Sequence, residues 1–339
     1  MVTLKDIAGR LGIATSTVSK CLNNADDVSD ETKQLVYDTA LEMGYKIKRR
    51  KNNIGMSERR VCILIDNMEY ENHDQFGFDL ILGFKTAASS KNWQVDIIPI
   101  NLNASYTLAN NYDSFMLQNQ YSGAFLIGFS MHNDYFTQIR KTKIPTVLFD
   151  NHISNNTKVG YVATDCYDGI HHAIEYLKKL GHKKIAFLNG TKSTMISEER
   201  LKAFIQIMGE LNLTVYDDLL ENGYYVPNSA KYHVPHFLSA GATAIVCASD
   251  LIASDVINEI TRHGYSVPDD ISVIGFDDMP FSANLTPPLT TIKQDRLSLG
   301  KSALMLLDGL INDLPISKMI LHAKLVERNS TAHVKTKLK

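Results

Sequence analysis

The chain has 339 residues, 44% hydrophobic and 21% charged, with 35 basic side chains against 37 acidic ones and a net charge of -2. At roughly 150 residues per domain this is room for about two domains with a sizeable core, and the composition excludes global disorder, collagen and a disulfide-stapled miniprotein. No apolar run approaches the roughly 18 residues of a membrane span. Lys5, Asp6 and Arg10 interrupt the stretch that a signal peptide's apolar segment would occupy, so a cytoplasmic protein with no membrane partner is expected. Cys21, Cys62, Cys166 and Cys247 lie far apart with no paired spacing, which points to reduced, mostly buried thiols rather than zinc ligands or disulfides.

Residues 1–45 read as three short helices. Thr3 and Asp6 have the spacing of a capping box, Ile7, Ala8 and Leu11 supply an apolar face, and Gly12 ends the first helix. Thr15, Ser16 and Thr17 open a second helix with Val18 and Leu22 one turn apart on its inner side. A third starts at Ser29, is expected to bury Leu35, Val36, Ala40 and Met43, and stops at Gly44. Two helices joined by a Gly-containing turn and closed by a third make a helix-turn-helix unit. Residues 46–60 then hold Lys46, Lys48, Arg49, Arg50, Lys51, Arg59 and Arg60 against Glu58 alone, a local charge of +6. Such a block reads as a solvated arm attracted to a polyanion.

From residue 61 short apolar runs alternate with helical stretches, the mark of a parallel sheet covered by helices. Strands are predicted at 61–65, 95–98, 123–127, 146–149, 185–188, 244–247 and 272–276, and helices at 78–89, 167–180, 198–211, 251–263 and 297–310. A loose internal echo between 181–190 and 270–278 favours two sheets over one.

In open parallel sheets ligands bind beyond the carboxyl ends of the strands. Asp66, Asp150, Asn189, Asp277 and Asp278 each follow a predicted strand directly, and Ser249 with Asp250 comes just after another. Several carboxylates around one cleft suit a polyhydroxylated ligand, because each accepts from two hydroxyls in charge-assisted bonds; any one of them alone would read as a helix cap or turn residue. Signals for catalysis are poor. Gly128-Phe129-Ser130-Met131-His132 lacks the second Gly of a nucleophile elbow. Adjacent His171 and His172 diverge by about 100 degrees on a helix and cannot share a metal, and no glycine-rich phosphate loop occurs. No catalytic residue, metal ligand or cofactor is assigned.

VTLKDIAGRLGIATSTVSKCLN at 2–23 and VSDETKQLVYDTALEMGY at 28–45 closely resemble the helix-turn-helix of the lac repressor family of bacterial transcription regulators. The resemblance continues through IPTVLFDN at 144–151, DCYDGIHHAIEYLKKLGHKKIAFLNG at 165–190, CASDLIASDVINEITRHGYSVPDDISVIGFDD at 247–278, PPLTTIKQD at 287–295 and LVERNST at 325–331, nearly the whole chain. It implies an α/β protein with a small all-helical DNA-binding domain at 1–45, a hinge at 46–60, and a two-lobed periplasmic-binding-protein-like core at 61–339. The N-lobe would take about 61–163 and 293–324, the C-lobe about 164–292 and 325–339. By position, the resemblance places Thr15, Ser16 and Lys20 at bases, and Thr17, Ser19 and Asn23 at phosphates; we add Thr3 to the DNA contacts. Small hydroxyls let a helix N-terminus approach DNA closely, and Lys20 one turn on can reach guanine acceptors, although most relatives carry Arg there.

In the core, the resemblance places Asp150, Arg200, Asp277 and Gln294 on sugar hydroxyls, Phe76 against the ligand, and Ser249 where many relatives have Asn. The segment 68–78, MEYENHDQFGF, departs from the usual Asn-Pro-aromatic loop and would tune which ligand fits. The hinge departs most: Ile47, Lys51 and Ile54 stand where relatives usually have Pro, Ala and Leu. Arg49 and Arg50 are expected at the DNA backbone and Ile54 as a minor-groove wedge. The expected function is a homodimeric repressor of carbohydrate-utilisation genes, bound to a pseudo-palindromic operator in double-stranded DNA and controlled by a sugar. A nucleobase or phosphoprotein corepressor is the alternative, and a solute-binding protein a distant one.

Overall fold

The computed structural model describes residues 2–23, 25, 27–45, 59–100, 111–129, 134–192, 194–224 and 229–335. The readings for Arg49, Arg50, Ile54 and the rest of 46–58, and for Ser130 and His132, lie outside the described residues.

Three helices come first: α1 (Leu4–Leu11), α2 (Thr15–Leu22) and α3 (Asp30–Glu42). The capping box forms as its spacing predicts, with Asp6 Oδ2 accepting from the Thr3 amide at 2.8 Å, and Gly12 closes α1 at a φ of 65°. Ile7, Ala8, Val18, Cys21, Val36 and Ala40 share one small core. Leu35, expected inside, is 53% exposed, whereas Tyr37 is 2% exposed. On a 3.6-residue repeat the inward stripe of α3 runs through Lys33, Val36, Tyr37 and Ala40, and Leu35 falls outside it.

The remainder alternates strand and helix. One lobe is built from β1 (Arg60–Ile65), α4 (Phe76–Ser89), β2 (Gln94–Pro99), α5 (Tyr112–Gln118), β3 (Ala124–Ile127), α6 (Asp134–Ile139), β4 (Thr146–Phe149) and β5 (Val159–Thr164). The chain then crosses to α7 (Cys166–Lys179), β6 (Ile185–Asn189), α8 (Met195–Glu210), β7 (Leu220–Asn222), α9 (Val234–Ser239), β8 (Ala244–Cys247), α10 (Asp250–Arg262), β9 (Ser272–Asp277) and β10 (Thr290–Lys293). It returns for α11 (Arg296–Ile311) and β11 (Lys318–Leu321), and ends its sheets with β12 (Lys324–Val326).

Among the described residues the strands form two six-stranded sheets, ordered β11-β5-β4-β3-β1-β2 and β12-β10-β9-β8-β6-β7. Every pairing is parallel except β10 with β12. Each sheet carries an apolar cluster on both faces, which is why β3, β4 and β8 are buried at every position and read as continuous apolar runs.

Glycines decide how closely α4 and α11 pack. A Cβ on Gly83 would lie 2.0 Å from the Leu297 carbonyl oxygen, and one on Gly300 would lie 1.9 Å from that of Leu80. Backbone therefore rests on backbone where the returning helix α11 joins the first lobe. The helical unit docks on this lobe too: Gln118 Nε2 donates to Gln34 Oε1 at 2.7 Å, and the Ser114 hydroxyl donates to Asp38.

Arg59 and Arg60, counted in the basic arm, belong instead to the core. Arg59 donates to Asp308 at 3.2 Å and stacks over Trp93, while Arg60 pairs with Asp96 at 2.7 Å over the Tyr121 ring. Their carboxylate partners come from residues 36 and 249 positions along the chain, out of reach of any local charge count.

Candidate functional site

On the helical unit, α2 begins at Ala14, which makes no side-chain cap. Thr15 and Ser16 are exposed, so capping, the bland reading of their hydroxyls, is not what they do. The first amides of α2 and two small hydroxyls face solvent together, which is the equipment for meeting a phosphate or a base edge. Lys20 is exposed and paired with Asp27. Asn23 caps the helix from the other end, its amide donating to the Ser19 carbonyl at 2.7 Å, and Thr17 sits half-buried between the two faces. The Thr3 hydroxyl donates to Asp6 at 2.7 Å and is thus engaged in the α1 cap.

The second constellation lies where the carboxyl ends of both sheets meet. Asp150 follows β4 with a φ of 53°, and Asp277 ends β9 with a φ of 126°, followed by Asp278 at 54°. Non-glycine residues held there carry backbone strain, which proteins concentrate at ligand sites. Asp277 accepts from Gln294 Nε2 at 2.7 Å, and both residues are buried. Arg200, alternatively readable as a surface arginine, is 3% exposed: it donates to the Ala248 carbonyl and lies 4.1 Å over the Phe276 ring. Phe76 opens α4 and packs at 5.8 Å on Phe149. Ser249 is buried and caps α10, accepting from the Ile252 amide at 3.2 Å.

Electrostatics tie these residues together. Burial pushes the Asp150 carboxyl up to about 7, against the pull of the Arg200 charge. Asp277 is raised as well, again by burial first, with Arg200, Gln294 and Arg296 opposing. Five buried polar atoms at this junction have no hydrogen-bond partner: Asp150 Oδ1, Thr164 Oγ1, Asn189 Oδ1, Gln294 Oε1 and Arg296 Nε. Buried polar atoms are almost always paired in native proteins, by protein or by water, so a set of orphans at strand ends calls for partners from outside the chain.

Two of the acidic residues grouped with the cleft from sequence, Asp250 and Asp278, serve the framework. Asp250 accepts from the Met279 amide at 2.7 Å, from the Ser282 hydroxyl at 2.6 Å and from Thr291. Gly275 leaves room for it, since a Cβ there would lie 2.3 Å from Asp250 Oδ1. Asp278 pairs with Arg328 at 2.6 Å. Asp66 is buried at the end of β1, its carbonyl against Gly128. In the other direction, sequence reasoning missed Thr164, Asn189 as an orphan, Cys166 and Arg296. Cys166 opens α7 with a thiol that burial raises to about 12 and that senses Arg200 and Asp150. Arg296 had one legible signal, a cation in the first turn of a helix, where the dipole disfavours it. Among the described residues no His, Cys, Asp and Glu cluster could hold a metal ion, and no helix is long and apolar enough to cross a membrane.

Comparison with known proteins gives matches at both ends of the chain. Residues 3–47 match the bacterial regulatory proteins of the lacI family, and residues 174–331 match the periplasmic binding protein-like domain. The chain is 28% identical over 298 residues to the probable HTH-type transcriptional repressor ExuR of Bacillus subtilis (strain 168), covering 87% of each chain. It is 27% identical over 342 residues to the HTH-type transcriptional repressor PurR of Mannheimia succiniciproducens, covering 98% of this chain and all of the other. A crystal structure of the lac repressor dimer bound to operator and an anti-inducer superposes with a TM-score of 0.68 at 25% identity, over 98% of this chain and 99% of that one. Helix-turn-helix, two parallel-sheet lobes and relatives along the full length agree: the chain carries a lacI-family DNA-binding domain and a periplasmic binding protein-like domain, and is similar throughout to lac repressor-family repressors.

Proposed function

We propose that this protein is a cytoplasmic, non-catalytic transcriptional repressor. It binds a pseudo-palindromic operator as a homodimer, a reading supported by the similar lac repressor, whose dimer is bound to operator, and a small sugar or sugar derivative in the interlobe cleft alters its grip on DNA. The genes it controls serve carbohydrate use. Thr15, Ser16 and Lys20 meet bases, while Thr3, Thr17, Ser19 and Asn23 hold the backbone. Lys20 exchanges Asp27 for a guanine acceptor, at little cost because an exposed ion pair contributes little. Phe76, Asp150, Arg200, Ser249, Asp277 and Gln294 take the effector.

The observation that carries this reading is the chemistry of the orphaned atoms. Asn189 Oδ1 and Gln294 Oε1 only accept, Asp150 Oδ1 accepts when its carboxyl is ionised, and Thr164 Oγ1 either donates or accepts. Acceptors at the ends of strands from both lobes ask for several donor hydrogens, which adjacent hydroxyls on a sugar ring supply. A nucleobase presents fewer donors and seeks stacking on both faces. Control requires the effector to bind one arrangement of the lobes better than another. The arrangement of the lobes in this structure is held by the His152 amide on Met195 Sδ at 3.3 Å and by Arg296 on the Asp277 carbonyl at 2.9 Å.

A thermal-shift screen of the full chain against monosaccharides, disaccharides and phosphosugars tests the effector, because a ligand of the native state raises the melting temperature. Footprinting with and without the hit tests control. Stabilisation by nucleobases and by no sugar, or a footprint confined to a single asymmetric half-site, overturns the proposal.

A further inference from the structure

Arg296 occupies the first position of α11 and is 7% exposed. A buried cation at a helix N-terminus opposes the helix dipole, so its presence calls for a compensating role. Its guanidinium is immobilised on three sides. Nη1 donates to the Asp277 carbonyl at 2.9 Å, Nη2 donates to Asp79 at 3.2 Å, and the group lies 5.6 Å from the Phe76 ring centroid. The Nε–H is buried and has no partner. A guanidinium does not give up its protons in proteins, so that N–H can be satisfied only by an incoming acceptor.

The residue also bridges the lobes. α11 packs on α4, which carries Asp79, whereas Asp277 ends a strand of the other sheet. Its contacts, Phe76 and Asp277, are the ones that frame the proposed effector cleft.

We infer that Arg296 is a specificity-determining residue of the effector site, its Nε–H donating to an acceptor oxygen that carries no proton: a ring, carbonyl or carboxylate oxygen of the sugar. This rests on the sugar reading above and adds a charged donor to the orphaned acceptors. A hydroxyl at this spot must turn its proton to another acceptor, whereas a proton-free oxygen needs none; the Asp277 carbonyl and Asp79 already accept from Nη1 and Nη2. The fork is fixed before the ligand arrives, so little ordering is lost on binding.

The test is calorimetry on the full-length protein with glucose, galactose and mannose, their uronic acids, and myo-inositol, which bears hydroxyls only. Wild type should bind at least one aldose or uronate and discriminate against myo-inositol at least tenfold. R296Q should lose at least tenfold in affinity for that probe and lose the discrimination, while retaining operator binding. R296K keeps the cation but not the fork, and should show the same loss of discrimination if R296Q does not fold. Preference for a uronate identifies a carboxylate as the acceptor, and preference for an aldose identifies the ring oxygen. Unchanged affinity in both variants, or equal binding of myo-inositol by wild type, overturns the role of Arg296 and leaves the sugar reading standing. Failure of every probe to bind wild type overturns both.

Discussion

Asp250 shows how far a carboxylate beside a binding cleft can be committed to the framework. It opens α10 at 0% exposure, and its two oxygens take the Met279 amide, the Ser282 hydroxyl and the Thr291 hydroxyl. Asp250→Ala strands all three donors in the interior. Each unsatisfied donor costs about 1 to 3 kcal/mol. Part of this is returned, because burial and the nearby Asp277 charge raise the Asp250 carboxyl and make its ionised form costly. The two hydroxyls can also turn to other acceptors. A net loss of about 3 to 5 kcal/mol follows, the range for breaking a buried charged network. Urea unfolding followed by circular dichroism, with m values of about 1 to 3 kcal/mol/M for small domains, should show the C-lobe transition moved down by at least about 1 M. Asp250→Asn retains an acceptor for the Met279 amide and should fall between wild type and alanine. A shift in the alanine variant worth less than about 1 kcal/mol refutes the framework role, and Asp250 would then return to the list of candidate ligand contacts.

On DNA, Lys20→Ala should weaken operator binding by about 1 to 3 kcal/mol with a smaller effect on unrelated DNA. Asp27→Asn, which releases Lys20 from its partner, should strengthen binding in low salt; fluorescence anisotropy reads both, and equal losses on all sequences for Lys20→Ala would remove it from base reading. Asp150 has its folded pKa raised from 3.8 to about 7, so the native chain holds a proton there that the unfolded chain releases. Its contribution to stability is therefore greatest near pH 4 and declines as pH rises to about 7. Asp150→Asn should gain on wild type across that window, and parallel stability profiles for the two proteins would contradict the burial argument. Gly300→Ala drives a methyl to 1.9 Å from the Leu80 carbonyl oxygen and should cost at least about 1 to 3 kcal/mol, measured by the same urea titration, because two helix backbones must separate.

Whatever depends on local periodicity and local chemistry can be read from the residues alone. The capping box at Thr3 and Asp6, the left-handed stop at Gly12 and the seven predicted strands follow from spacing and buried apolar runs, and all appear in the fold. The acidic residues at the strand ends were legible for the same reason, since a parallel strand delivers its last residue to the ligand edge. Elements too short to be stable alone were not legible: α5, α6 and α9 span six or seven residues, and β11 and β12 are short edge strands of exposed and half-buried positions. Isolated helices below about 12 residues are marginal, so packing rather than propensity forms them.

Tertiary structure alone sorted the carboxylates. Asp250 and Asp277 look alike beside their strands, yet one meets three donors from a distant loop and strand while the other pairs with Gln294 on the cleft. Arg59 likewise left the basic arm because Asp308 lies 249 residues away. A side chain's exposure and partners are set by which segments fold against it, and those contacts are made across sequence distances that no local pattern records.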